Sequence, residues 1–313
     1  MKAIRVHQFG GPDVLTLEEL PVPEPDELEI LVRVAAAGVG PWDAWVRAGK
    51  SVIDQPLPLT PGSDLSGHVV ALGSGVSGFE VGQAVYGVTN PRFTGAYAEY
   101  ALADARRMAE KPGRTSHVQA ASVPVVATTA HQMLFDHARV VAGQRVLIHG
   151  AGGSVGAFAV QLAVLAGAQV IGTDVRAGAQ YALGLGAAQV VDVHTTRFED
   201  EIEPVDVVID TVGGDLQERS FQCLKPGGTL ISSVSQPNAD QARQRSVTAR
   251  FILVDVTTKI LTLLAERLDA GELRTHTGPV LPLADARQAH EMLDGLRLRP
   301  PGKIVLRVAD GQG

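Results

Sequence analysis

Residues 145–174 read RVLIHGAGGSVGAFAVQLAVLAGAQVIGTD. Arg145 to His149 is a short apolar run rich in branched side chains. Gly150, Gly152, Gly153 and Gly156 follow, and then an apolar segment of helix length that stops at Gly167. Strand, glycine turn, helix and second strand are the βαβ grammar of a dinucleotide site. Glycine is needed there for a tight turn, for close approach of backbone N–H groups to a pyrophosphate and for close packing of helix on strand. The start of the helix, at Ser154 and Val155, adds unpaired N–H donors and the positive end of the helix dipole. Asp174 closes the second strand where an acidic side chain accepts from a ribose hydroxyl. A glycine turn alone would equally suit a tightly packed βα junction; the strand before, the helix after and the acid beyond separate the two readings. The spacing is GxGxxxG, also readable as GxxGxxG, which departs from the commonest fingerprint.

Outward from this unit the chain is that of a globular protein. It has 313 residues, enough for two domains, 45% of them apolar and 19% charged. The net charge of −7 comes without any sustained basic run, which disfavours nucleic acid as a partner. Apolar segments are broken well short of membrane-spanning length, and Met1 to Gly10 lacks the apolar stretch of a signal peptide, so a cytoplasmic protein without a membrane partner is expected. Cys223 is the single cysteine; it forms no disulfide within the chain and no CxxC metal site, and reads as core filling.

The N-terminal third is β-rich. MKAIRVHQF alternates like a strand, GGPD turns, and LTLEEL returns as its partner. LEILVRVAAAGV is a further strand, GVGPWDAWVRAG a short helix with proline in its first turn, and PLPLTPGSDLSGHVVALGSGVSGFEVGQAVYG alternates strands with glycine turns. FTGAYAEYALADARRMAEKP adds two more, giving a twisted, partly closed β domain. After Asp174 the pattern alternates: AQYALGLGA, VVDV, VDVVIDTVGG, then LQERSFQCLKPGG as a helix and TLISSVS as a strand, which argues for a parallel sheet. TTKILTLLAERLDAGEL has helical spacing with Leu261, Leu264 and Leu268 on one face; DARQAHEMLDGL is another helix, GKIVLRV a last strand and ADGQG a loose tail.

MKAIRVHQFGGPDVL, AAGVGPWDAWVRAG, PGSDLSGHVVALGSGVSGFEVGQAVYG, GAYAEYA and the glycine turn, in this order across nearly the whole chain, resemble the medium-chain dehydrogenase/reductase superfamily. Within it the sequence is similar to the zinc-free quinone oxidoreductase branch, which includes zeta-crystallin-like proteins and alkenal reductases. The resemblance implies an α/β fold in which a Rossmann domain, 121–256, is inserted into a GroES-like catalytic domain made of 1–120 and 257–313. It also implies a homodimer paired through the edge of the Rossmann sheet.

The zinc alcohol dehydrogenases of the superfamily hold their catalytic metal with Cys, His and Cys. The resemblance matches those positions to Gly40, Ser63 and Val125, none of which binds zinc in the usual way. His68, five residues past Ser63, sits in a strand without a second ligand. The implied chemistry is direct hydride transfer between a nicotinamide and a quinone or α,β-unsaturated carbonyl, which needs close placement and donors for the developing oxyanion more than acid and base groups. The substrate cleft is expected between the domains, with Trp42, Asp43 and Trp45 at family positions facing the nicotinamide. Many relatives carry Asn where Gly40 stands and Tyr where Trp45 stands; both departures remove a polar group and point to a flatter, more apolar pocket. Aromatic packing between helix and sheet is the competing role of each tryptophan.

VPVVATTAHQML resembles the segment that passes the nicotinamide ribose, with Thr129 the first candidate, Thr128 the second, and a helix cap the plain alternative. Val212, Gly213, Ser232 and Ser233 end strands of the parallel sheet, where doubly wound folds bind ligands. Phe251 and Ile252 match a family stretch near the nicotinamide, and dimer-forming residues would look the same. The resemblance favours NADPH, with Arg176 and Tyr181 near enough to contact its 2′-phosphate. Asp174 opposes that phosphate and favours NADH. Two rivals stay open: an enoyl-thioester reductase of the same superfamily, and a non-catalytic dinucleotide-binding structural or regulatory protein.

Overall fold

Apolar alternation broken by glycine and proline turns builds one sheet system in the N-terminal part; continuous branched runs separated by helices build another further on. The computed structural model of the chain describes residues 1–308 apart from the side chain of Arg176; the ADGQG tail at 309–313 lies outside the described residues. The strands in chain order are β1 Lys2–Arg5, β2 Thr16–Glu19, β3 Glu29–Val39, β4 Asp64–Leu72, β5 Ala84–Val88, β6 Tyr100–Asp104, β7 Met108–Glu110, β8 Arg145–His149, β9 Gln169–Asp174, β10 Gln189–Asp192, β11 Val205–Asp210, β12 Leu224–Ser232, β13 Thr248–Phe251, β14 Thr277–Pro282 and β15 Lys303–Arg307. They belong to two compact units, one made of Met1–Val125 and the chain from Val256 onward, the other of Val126–Asp255.

In the first unit β1 and β2 form the hairpin expected around GGPD, with Lys2 opposite Glu19. The larger sheet runs β14-β15-β3-β4-β5-β7, with β6 also paired to β3. All its pairs are antiparallel except β14 with β15. Its core takes Ile30, Val32 and Val34 from one strand and Ile304 and Leu306 from the far end of the chain. The helix Thr258–Asp269 buries Leu261, Leu264 and Leu268 as its spacing predicts, and the Tyr86 hydroxyl donates to the Leu261 carbonyl at 2.5 Å.

In the second unit six parallel strands run β10-β9-β8-β11-β12-β13. The order reverses at β8, the switch point where such sheets bind ligands, and β8 leads into the glycine turn. Cys223 is buried among Phe198, Phe221 and Leu224, and burial raises its thiol pKa to about 11, as suits a core side chain. The helix expected over LQERSFQCLKPGG is shorter, Gly214–Ser220, because the chain from Leu224 is already strand β12, paired with β11. Among the described residues, no helix is long and apolar enough to cross a membrane.

Candidate functional site

The glycine turn is built by close backbone approach. Gly150 lies at φ 68°, left-handed and suited to glycine, and its N–H and that of Ala151 both donate to the Thr173 carbonyl, at 2.9 and 3.1 Å. A Cβ at Gly152 would meet the backbone of Gly178 at 2.5 Å, and one at Gly156 would run into the Gly150 carbonyl oxygen. Gly153 is the N-cap of the helix Ser154–Leu165, so the first N–H groups of that helix, from Ser154, Val155 and Gly156, have no partner within it. Asp174 closes the turn from β9: one carboxylate oxygen accepts from Gly152 N–H at 2.6 Å and the other from Val175 N–H at 2.7 Å. A Cβ at Gly178 would strike this carboxylate, so the glycine there gives it room. The turn therefore joins Gly150, Gly152, Gly153, Ser154, Val155, Gly156 and Asp174 in one place. Tyr181 follows on the helix Arg176–Gly184; the side chain of Arg176 lies outside what the structure describes.

Behind the turn are two buried polar centres that sequence reasoning missed. His149 ends β8 with Nδ1 at 2.7 Å from Thr173 Oγ1 and Nε2 at 2.6 Å from Ser220 Oγ, its ring edge-on to Phe198. Burial lowers its pKa to about 4, so the ring is neutral. Asp210 ends β11: one oxygen accepts from Val212 and Gly213 N–H, at 3.1 and 2.8 Å, and the other from Gln217 Nε2 and Ser232 Oγ, at 2.8 and 2.7 Å. Ser232, expected as a cofactor contact, is buried with its hydroxyl donating to Asp210. Val212, by contrast, is exposed at the tip of the same bend, and Ser233 N–H is tied to the Asp210 carbonyl. Phe251 pairs in register with Ser232, and the buried Ile252 donates its N–H to the Ser232 carbonyl at 2.9 Å. Thr128 and Thr129 lie in the second turn of the helix Pro124–His131, both buried, so neither caps it.

In the first unit the helix Pro41–Arg47 carries Trp42, Asp43 and Trp45. Trp45 is 45% exposed, and its indole is available at the surface. Asp43 is the correction: it has no exposed surface, and its Oδ2 accepts from Gly40 N–H at 2.8 Å and from the Tyr97 hydroxyl at 3.1 Å. It fastens the start of its own helix instead of lining a pocket. Burial raises its pKa to about 7 against the opposing pull of Lys303. Trp42 donates Nε1–H to Ser63 Oγ at 3.2 Å, and its ring lies against Gly40, where a Cβ would collide with it. Arg47, buried at the end of the helix, donates to the Gly10 carbonyl at 3.1 Å and to Asp294 at 2.7 Å, and meets His290 Nδ1 at 3.1 Å.

Residues 26–113 match the alcohol dehydrogenase GroES-like domain family, and residues 185–306 match a family described as zinc-binding dehydrogenase. The chain is 34% identical to the quinone oxidoreductase of Sus scrofa, covering 98% of this chain and 97% of that protein. It is 34% identical to the NADPH-dependent alkenal/one oxidoreductase, chloroplastic, of Arabidopsis thaliana, covering 98% and 79%. The solved Escherichia coli quinone oxidoreductase complexed with NADPH superposes with a TM-score of 0.88 at 28% identity, covering 97% of this chain and all of that one. The fold is thus a GroES-like domain with a Rossmann-type parallel sheet.

Zinc, which the second family description implies, does not fit the residues present. Gly40 has no side chain, Ser63 Oγ already accepts the indole N–H, and Val125 offers only a backbone N–H, which donates to Asp64 Oδ1 at 3.0 Å. His68 has one imidazole neighbour, His117, at 4.7 Å between ring centroids, and among the described residues no group of three or more candidate ligands converges.

Proposed function

Because the chain belongs to the medium-chain dehydrogenase/reductase superfamily, in its quinone oxidoreductase branch, we propose that it is an NAD(P)H-dependent reductase of quinones or α,β-unsaturated carbonyls that works without a metal. The observation that carries the reading is the glycine turn, where Gly152 and Gly156 leave space only for hydrogen, beside the unpartnered start of a twelve-residue helix.

When bound, the dinucleotide supplies the hydride. The Ser154 and Val155 N–H groups would hold its pyrophosphate, and the bend at Val212 and Gly213, held by Asp210, would border it. The indoles of Trp42 and Trp45 are assigned to the flat acceptor, which suits a planar conjugated ring or enone. A cytoplasmic homodimer, paired through an edge of the parallel sheet, is part of the same reading and rests on the resemblance.

NADPH is the cofactor named for the Arabidopsis and Escherichia coli proteins. One observation favours a second reading, NADH: the Asp174 carboxylate is held at the turn by two backbone N–H bonds, and a carboxylate there would oppose a 2′-phosphate and suit a ribose hydroxyl. The test follows reduced-nicotinamide absorbance with NADPH and NADH, each against benzoquinone and an alkenal. Turnover with either acceptor supports the reductase. Cofactor binding without turnover on either overturns it in favour of a thioester-specific or non-catalytic protein. Asp174→Ala is expected to swing the preference toward NADPH by on the order of tenfold or more; an unchanged ratio removes Asp174 as selector.

A further inference from the structure

Two buried carboxyls of the first unit share one buried ammonium. Asp43 and Asp64 have no exposed surface, and Lys303, 2% exposed, is the ammonium that faces both. Its Nζ pairs directly with Asp64 Oδ2 at 2.9 Å, while Asp64 Oδ1 is taken by Val125 N–H. The other face of the ammonium is covered by an aromatic ring, with Nζ 4.0 Å from the centroid of Trp42. That indole presses on Gly40 and is anchored at Nε1 by Ser63. All three positions matched to metal ligands are therefore drawn into one network: Gly40 as the surface beneath the indole, Ser63 as its acceptor, Val125 as donor to the carboxylate that holds the ammonium.

We propose that Lys303 is the resident cation of this locus in place of a metal, and that it is a positioning residue which holds the Trp42 indole for the acceptor. The proposal rests on the reading of Trp42 as acceptor-facing. A cation against a partly buried indole is attracted by the ring quadrupole, and the ring is thereby held from two sides, by the ammonium and by Ser63. Lys303 differs from a Lewis acid in that it is sealed from solvent and meets the substrate only through the ring it orients.

The test uses two readouts. In a Trp45→Phe background Trp42 is the sole tryptophan, and its emission reports the ammonium directly. Lys303→Met is expected to shift that emission, and Lys303→Arg, which keeps the charge, to stay near the parent. If Arg shifts it as far as Met does, or if Met leaves it unmoved, the proposal falls. With both tryptophans present, Lys303→Met is expected to raise the acceptor KM by on the order of tenfold while the dissociation constant for the reduced nicotinamide, read from its own fluorescence, stays as in the parent. An unchanged acceptor KM overturns the proposal. Should Lys303→Met not fold, Trp42→Leu, which leaves every charge in place, is expected to raise the acceptor KM equally, and a parent-like KM again overturns it. A parent that turns over no acceptor defeats the functional reading alone, and the emission comparison then decides whether Lys303 holds the ring.

Discussion

Asp43→Asn isolates the energetic consequence of a carboxylate with no access to water. The carboxyl is pushed from an ordinary 3.8 up to about 7, chiefly by burial. Between those values the folded chain keeps a proton that the unfolded chain has released, so the folded state gains from low pH, and this stabilisation is lost as the pH rises through about 7. Three pKa units correspond to roughly 4 kcal/mol, of which about 3 kcal/mol disappears between about pH 5 and about pH 8. Two histidines of the same unit work in the opposite direction. Burial lowers His290 to about 3 and His117 to about 4, so the unfolded chain takes up protons below 6.5 that the folded chain refuses, and stability rises with pH there. The parent profile is a sum of opposing slopes, and the difference between parent and variant removes the histidines. Asn keeps an oxygen for Gly40 N–H and the Tyr97 hydroxyl and takes up no proton in either state. Both tryptophans lie on the helix Pro41–Arg47, so urea unfolding followed by tryptophan emission reports this unit. The stability of Asp43→Asn relative to the parent is expected to be about 3 kcal/mol more favourable at about pH 8 than at about pH 5. An equal difference at both pH values would refute the assignment of a buried proton to Asp43.

Gly156→Ala places a methyl against the Gly150 carbonyl; it is expected to weaken dinucleotide binding and to cost at least about 2 kcal/mol, read by cofactor fluorescence titration and thermal unfolding. Arg47→Met strands the His290 ring, the Gly10 carbonyl and the half-covered Asp294 carboxylate, with an expected loss of about 3 kcal/mol in urea unfolding, while cofactor affinity, set in the second unit, stays at the parent value.

The βαβ unit was legible because its signals are local: branched residues for a strand, glycines where a Cβ would collide with backbone, an apolar helix and an acid at the end of β9. Asp174 could be placed at the turn from spacing alone, but its two N–H partners could not. The shorter strands escaped notice for physical reasons. β14 carries Gly278, Pro279 and Pro282, which read as a loop, and it becomes a strand by pairing with β15; β13 is a four-residue edge strand whose partner is β12. The polar centres were invisible because their members are far apart in sequence: His149 meets Ser220, Asp210 meets Ser232, and Trp42 meets Lys303 from the other end of the chain. Pro41 showed that Trp42 and Asp43 share a short helix, yet only folding reveals that one faces an ammonium and the other is sealed inside.

The place of β15 in its sheet has a bearing on how the protein is made. A ribosome releases residues 126–255 as one continuous stretch, able to close its parallel sheet while synthesis continues. The first unit has no such freedom. Its strand Lys303–Arg307 lies inside the sheet between β14 and β3, yet it is made only after the whole of residues 126–255. Until it does, β3 lacks a neighbour along β15's edge, and Asp43 and Asp64 lack the ammonium that faces them. The nascent first unit thus waits for Lys303 until the second unit has been made, and a message truncated shortly before that codon would yield a chain with an assembled parallel sheet and an unfinished first unit.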